Sequence, residues 1–528
     1  MKDESLLQNT KLYSIIFWCF LGVHALFWTF APTFFFANYR LDTPEMILVG
    51  KHWLISSFKH PGFQGWVVQI LGTLTGGAEF TPYLAAQIAV VLAVWCVWKM
   101  GQEFLSPQAA LVAALAMLTY FYFNYESTLY NNRAFFRSFT ALAELLTFYA
   151  LKTNRSRFWL GAGIALAAGL YCNLATFLTV LTIVAFMLVD RQARAFWRTP
   201  GPWISAGICF VLMIPYLVWL VRNDFPPLTY AMQKISDVHP AFSGHFLRPM
   251  EFFLAQIPII FPVSLMLVPL LGIGWKWNVS HLWGRETKDR FLTFMILFPL
   301  LFTIGIAFIN ASKIRRELGC EIWIFFSVFL IYTAAQVKED WASIRRSLLW
   351  TGVFSTFWAI ASLLVVYFVP AIQGYANRMH YPGRAVATEV AKQWKEHLGN
   401  KPLVYVRGEE WPSMMAVIYG KKEIDLYSPL WTNEEEFHKK GGVLLWEIPN
   451  GKKQFSQDSF ANRDFKLKDG VVDPEWFEQF PTRIELPPMK FKASTPFDVP
   501  EIIVGIALLP PDENWKASKT DSQKPAID

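Results

Sequence analysis

Charged residues are scarce in this 528-residue chain: Asp, Glu, Lys and Arg together make up 17%, against about 25% in a soluble globular protein. The shortage is uneven. Long apolar runs broken by short charged loops fill residues 11 to about 370, and beyond Pro370 the composition becomes that of a soluble domain. Cysteine is also sparse. Cys19, Cys96, Cys172, Cys209 and Cys320 form no C-x-x-C pair, and none lies after Pro370. That excludes a disulfide framework and a thiol redox motif. Walker A, G-x-G-x-x-G, H-E-x-x-H and G-x-S-x-G motifs are all missing, so nothing supports an enzyme driven by cytoplasmic nucleotide. No apolar run carries the row of charges that an ion pathway needs, and Glu144 is the main acid inside one. Internal repeats and low-complexity segments are absent too.

What remains is apolar surface: 54% of residues are hydrophobic and 17% aromatic. Runs of this length and composition are membrane spans. They begin near Ser14 to Ala31, Pro82 to Trp98, Gln108 to Phe123 and Ala134 to Leu151. Others run from Pro202 to Val221, Phe252 to Trp275, Phe291 to Asn310, Ile322 to Ala335 and Leu348 to Val369. The stretch Phe158 to Val189 is too long for one span and short for two. The basic loops on either side of it, KTNRSR and DRQARAFWR, belong on one side of the membrane by the positive-inside rule. An even number of crossings therefore separates them, and two short helices turning near Tyr171 to Asn173 meet that demand. The result is an α-helical polytopic membrane protein with about eleven spans. Its N-terminus is expected in the cytoplasm, and the first apolar run, which lacks a small-residue cleavage site, reads as a retained helix.

With that parity the outward loops are Pro32 to Thr81, Asn124 to Arg133, Arg222 to Glu251 and Ser312 to Glu321. The last contains SKIRRE, which is basic for an outer loop and suits an anionic ligand. The net charge of +7 sits mostly in loops beside apolar segments, which reads as topology signal and lipid-headgroup contact, not nucleic-acid binding. Two domains follow, residues 1–369 in the membrane and residues 370–528 as a soluble α/β domain outside it. In the latter, Arg384 to Leu398 reads as a helix closed by Gly399. Strand-like runs start at Pro402, Gly441 and Glu501, and a polar tail starts at Asp512.

The first outward loop holds the densest chemistry. Asp42 and Glu45 bracket Pro44, which can open a helix and place both acids at its start. Such acids often do no more than favour the helix dipole. Lys59 and His60 can hold a phosphate, or can be a solvated interfacial pair. Further out lie Arg133 and Arg137 with Glu126 and Asn132, then Arg222 with Asp224, and Lys313, Arg315 and Arg316. An early acidic cluster with scattered cations is the inventory for binding a lipid phosphate and deprotonating an acceptor.

Four passages carry a family resemblance: LDTPEMILVGKHW with FKHPGFQGW; YNNRAFF; the block from RFWLGAGIALAAGLYCNLATFLTVL through LVDRQARAFWRTPGPW to LVWLVRNDFPPLTYA; and WTNEEEFHKKGGVLLWE. In order and spacing the chain resembles bacterial membrane glycosyltransferases of the GT-C fold. It is most similar to the branch related to dolichyl-phosphate-mannose protein mannosyltransferases (family 39), which includes the enzymes adding aminoarabinose or galacturonic acid to lipopolysaccharide. The resemblance implies a bacterial inner-membrane enzyme with a periplasmic C-terminal domain. It implies transfer, with inversion, from a polyprenyl-phosphate sugar to a glycolipid acceptor of the lipid A type. Asp42 stands at the family's acid and is expected as the catalytic base. Glu45, Lys59, His60, Arg133, Arg222, Arg315 and Arg316 are the expected substrate and phosphate ligands. Where relatives carry an acid that helps bind a metal, this chain has Lys59 in FKHPG, so no cofactor is expected, with a divalent metal as the alternative. Arg133 replaces a residue more often uncharged. A flippase for lipid-linked sugar and a protein O-mannosyltransferase-like enzyme are the alternatives.

Overall fold

The computed structural model describes residues 2–235, 242–450, 467–468, 471–513 and 515. Two compact units make up the chain. One comprises Met1–Pro32 and His60–Ser362; the other comprises Thr33–Lys59 and Leu363–Asp528. The composition break near Pro370 thus falls close to one boundary at residues 362 and 363. The second unit also takes residues 33–59, which sequence had kept with the membrane part.

Among the described residues, seven helices are long and apolar enough to cross a membrane: Lys11–Phe35, Thr81–Phe104, Ala134–Thr153, Pro200–Arg222, Gly244–Leu271, Thr287–Asn310 and Trp341–Gln373. At 1.5 Å per residue, 20 residues reach about 30 Å, the thickness of the hydrocarbon core. Their composition follows what they touch. Pro200–Arg222 is strongly apolar and little of it is buried in protein, whereas Ala134–Thr153 is less apolar and mostly buried. A helix surrounded by other helices need not be as apolar as one facing lipid.

The doubtful stretch forms two helices, Ser156–Cys172 and Thr176–Val189, with the turn at Asn173. Close packing fixes the first of them. A Cβ on Gly163 would overlap Ile208 and the Ser205 carbonyl on Pro200–Arg222, so glycine lets the two helices approach. Thr176–Val189 then bends by 92° into Arg191–Arg198. Asp190 causes the corner: extended at φ −75°, ψ 125°, it accepts from the Gln192 and Ala193 amides and pairs with Arg290 at 2.5 Å. Two expected spans are shorter than a membrane crossing. Gln108 to Phe123 is an α-helix over Pro107–Ala116 followed by 3-10 turns, and Ile322 to Ala335 contains only the helix Phe326–Tyr332.

The second unit is α/β. Its strands are β1 (Tyr405–Gly408), β2 (Asp425–Leu426), β3 (Gly442–Ile448), β4 (Leu467–Lys468), β5 (Val471–Val472), β6 (Ile484–Phe491) and β7 (Ile502–Leu509). The main sheet has the order β2-β1-β3-β7-β6, parallel across β2-β1-β3 and antiparallel across β3-β7-β6; β4 and β5 pair separately. Pro487 and Pro488 sit in β6, where the register shifts between Leu486 and Met489. An edge strand is the place where lost amide donors are tolerated. The helix Gly383–Leu398 covers one face and ends at Gly399, whose φ of +65° suits glycine. Leu48 and Val49 from the early segment lie in the same core as Val406, Trp411 and Leu445. That burial ties residues 33–59 to this unit. Most of the polar tail expected from Asp512 lies outside the described residues.

Candidate functional site

Pro44 does open a helix, Thr43–Lys51, with Asp42 at its N-cap position and Glu45 in the first turn. Asp42 makes no side-chain cap hydrogen bond there. Its charge is instead felt by Arg378, which also responds to Glu410 and Glu447. Arg378 lies over the Trp411 ring, 5.1 Å from its centre. Glu45 is buried and accepts from Ser57 Oγ at 3.3 Å, and Lys59 Nζ lies 3.5 Å from its other oxygen. The same ammonium is 3.8 Å from Glu410 Oε1. Burial raises the Glu45 carboxyl above its ordinary range, while the Lys59 charge opposes the shift. The second unit therefore gathers Asp42, Glu45, Lys59, Arg378 and Glu410. A divalent cation between Glu45 and Glu410 would meet the Lys59 ammonium, so these residues do not fit a metal.

Lys51 and His52, next in sequence, have a mechanical role. They hold Asp425 at 3.2 and 3.0 Å, and His52 stacks on Trp431 at 4.4 Å.

The boundary between the units passes between Lys59 and His60. In the membrane unit, His60 Nδ1 is 3.2 Å from the Asn132 amide, and its ring meets Tyr230 edge-on at 5.6 Å. Gln64 donates to the Asn132 carbonyl at 2.8 Å and its own carbonyl accepts from Tyr130. Arg133 is the N-cap residue of Ala134–Thr153. Arg137, four residues on, shares its helix face.

Arg137 is 4% exposed, and its guanidinium lies 5.2 Å from the centre of the Tyr122 ring. The Nε atoms of both arginines are buried without a hydrogen-bond partner. Among the described residues neither arginine makes an ion pair. Both charges act on Glu321, 5% exposed and outside the seven spanning helices. Burial pushes this carboxyl up to about 7, against its own backbone hydrogen bond, the Cys320 thiol and the two guanidiniums. Cys320 Sγ donates to Glu321 Oε2 at 3.3 Å, and Oε1 has no hydrogen-bond partner. Tyr120 donates to the Cys320 carbonyl at 2.8 Å. A buried cation with a half-buried one a turn away, beside a weakly acidic carboxyl, is an environment for an anion.

Of the expected residues, Asp42, Glu45 and Lys59 fall in one cluster, and Arg133 in the other. Arg316 lies over Phe121 at 5.7 Å and pairs with Glu317 at 3.5 Å, but is largely exposed. Arg222 and Arg315 are exposed and join neither cluster. Glu321, Arg378 and Glu410 were missed. Glu321 left a weak signal as an acid at the edge of an apolar run; Arg378 and Glu410 left none.

Residues 59–219 match the profile of the dolichyl-phosphate-mannose-protein mannosyltransferase family. ArnT from Cupriavidus metallidurans, in a crystal structure bound to undecaprenyl phosphate, has the same fold: TM-score 0.59, 11% identity, covering 92% of this chain and 97% of that chain. The oligosaccharyltransferase of Archaeoglobus fulgidus in its apo form matches at TM-score 0.42 and 11% identity, over 82% of this chain and 69% of that one. AglB of the same organism, with an inhibitory peptide and a dolichol-phosphate, matches at 0.40 with the same identity and coverage. No curated protein sequence matches the chain.

Proposed function

The chain has the GT-C glycosyltransferase fold, and we propose that it transfers a sugar from a polyprenyl-phosphate donor to an acceptor hydroxyl outside the cytoplasm. The observation that carries this reading is the buried guanidinium of Arg137 with the half-buried Arg133 one helical turn before it, neither having a carboxylate ion-pair partner among the described residues. A lipid phosphate supplies the missing anion. The undecaprenyl phosphate bound to ArnT in the matching structure supports the same donor class.

The chemistry follows from charge. The acceptor oxygen attacks the anomeric carbon on the face opposite the phosphate, and the bond from that carbon to the phosphate oxygen breaks. The lipid leaves as a phosphomonoester with one more negative charge, which the two guanidiniums offset. The acceptor proton goes to a carboxylate, and Asp42 is the group assigned to it. Glu45, Lys59 and Glu410 hold the early segment in place and set the field around Asp42. Attack from the opposite face gives inversion. The acceptor assigned is a glycolipid of the lipid A type, with the chain in a bacterial inner membrane and its second unit in the periplasm. A protein hydroxyl is the second reading, favoured by the description of the matching family profile.

Purified wild-type and Asp42→Asn protein, incubated with radiolabelled polyprenyl-phosphate sugars and either glycolipid or protein acceptors, test this. Wild-type transfer with loss of at least 100-fold in Asp42→Asn is expected. Undiminished transfer by Asp42→Asn removes Asp42 as the base. Folded wild-type protein that uses no donor removes the transferase reading.

A further inference from the structure

The membrane unit contains a second place built for an anion, far from the guanidinium pair. Arg137 and Lys152 lie on one helix, fifteen residues apart, about 22 Å along its axis. At the Lys152 end is a cavity of about 560 Å³, the size of a ligand pocket. Its lining combines apolar and cationic side chains. Phe148, Leu151, Phe196 and Phe291 supply its apolar lining, and Lys152, Arg285 and Lys288 its cations.

Two acids also line the cavity, and each is already engaged. Glu103 pairs with Lys152, and Glu286 lies 3.2 Å from Lys288. Arg285 is exposed and makes no side-chain ion pair among the described residues. One net positive charge is therefore left facing the cavity. The wall is also rigid. Arg290, next to this segment, pairs with the corner residue Asp190 and donates to the carbonyls of Gly284 and Arg285 at 2.8 and 2.5 Å. Thr287 donates to Gln192 across the same corner.

We propose that this cavity binds an anionic phospholipid, with Arg285 and Lys288 on its phosphodiester and the aromatic wall against the upper acyl chain. An apolar wall of this extent at the end of spanning helices is wasted on a soluble anion, and a zwitterionic lipid does not use the unpaired cation. The loops KTNRSR and DRQARAFWR border the cavity in sequence. In the orientation set by those basic loops it opens to the cytoplasmic leaflet, where anionic lipids concentrate. The inference does not depend on the transferase reading.

Delipidated protein is titrated with dioleoyl phosphatidylglycerol, dioleoyl phosphatidylcholine or inorganic phosphate, reading retained lipid by native mass spectrometry and melting temperature in parallel. Phosphatidylglycerol is expected to bind and raise the melting point, with at least five-fold weaker binding by phosphatidylcholine and no effect of phosphate. Arg285→Gln, at an exposed position, should weaken phosphatidylglycerol binding at least five-fold and leave the lipid-free melting point unchanged. Arg157→Gln, a basic-loop change outside the cavity wall, should bind as wild type. Equal binding of the two lipids, a shift with phosphate alone, or equal loss in Arg285→Gln and Arg157→Gln each overturns the proposal.

Discussion

Arg137→Met should make the protein more stable and nearly inactive. The guanidinium is 4% exposed, its Nε has no hydrogen-bond partner, and no carboxylate pairs with it among the described residues. Burying a charge in that state costs several kcal/mol. The Tyr122 ring at 5.2 Å returns about 1–2 kcal/mol through the cation–π attraction. Methionine fills similar length with no charge, so a net gain of about 2 kcal/mol is expected without donor lipid, or a few degrees in melting temperature. Transfer should fall about 100- to 1,000-fold, the loss seen when a group stabilising transition-state charge is removed. Thermal unfolding of delipidated protein in detergent, beside a transfer assay, measures both. A melting temperature lowered by several degrees would show that Arg137 is a packing residue. Undiminished transfer would remove it from the phosphate site. A residue that costs stability and supports rate is what an anion site predicts.

Glu321→Gln tests the neighbouring acid through pH. The native carboxyl titrates at about 7 because it is buried, while the unfolded group titrates near 4.3; the folded state holds the proton more tightly, so wild-type stability should fall as pH rises between these values. The Gln variant should lose that slope in melting curves from pH 5 to 8, and an unchanged slope refutes the assignment. Glu434 has the opposite sign. The His438 hydrogen bond, the Arg407 charge and the Tyr427 hydroxyl overcome burial and hold it at about 2. Its contribution is present above about pH 4.5 and fades as pH falls toward 2, so Glu434→Gln should flatten acid unfolding of the second unit. Gly163→Ala places a methyl group against Ile208 and Ser205, whereas Gly207→Ala meets nothing within 4 Å. The first should cost about 1–3 kcal/mol and the second should be neutral; equal melting temperatures would show that the helices are not held by close packing at Gly163.

Much of the architecture was legible because it is local. Apolar run length marks a span wherever it occurs, and the parity of the basic loops alone demanded the two short helices of Ser156–Cys172 and Thr176–Val189. Gly399 closed its helix where a positive φ is needed, and the three strand-like runs became β1, β3 and β7. Asp42 and Glu45 took the helix-start positions that Pro44 implies.

The partners of those acids were not legible. Lys59 meets Glu410 from more than 300 residues away, and Arg378 joins the same cluster. Arg133 and Arg137 act on Glu321 across nearly 190 residues. Neighbouring residues could also part: Lys59 and His60 went to different units because Leu48 and Val49 bury themselves in the core of the C-terminal sheet. Hydrophobic length and periodicity act over one turn or one strand, and the chain carries them in its order of residues. Which cation finds a carboxylate, and which is left for a ligand, depends on how helices and strands distant in sequence pack, and packing alone decides it.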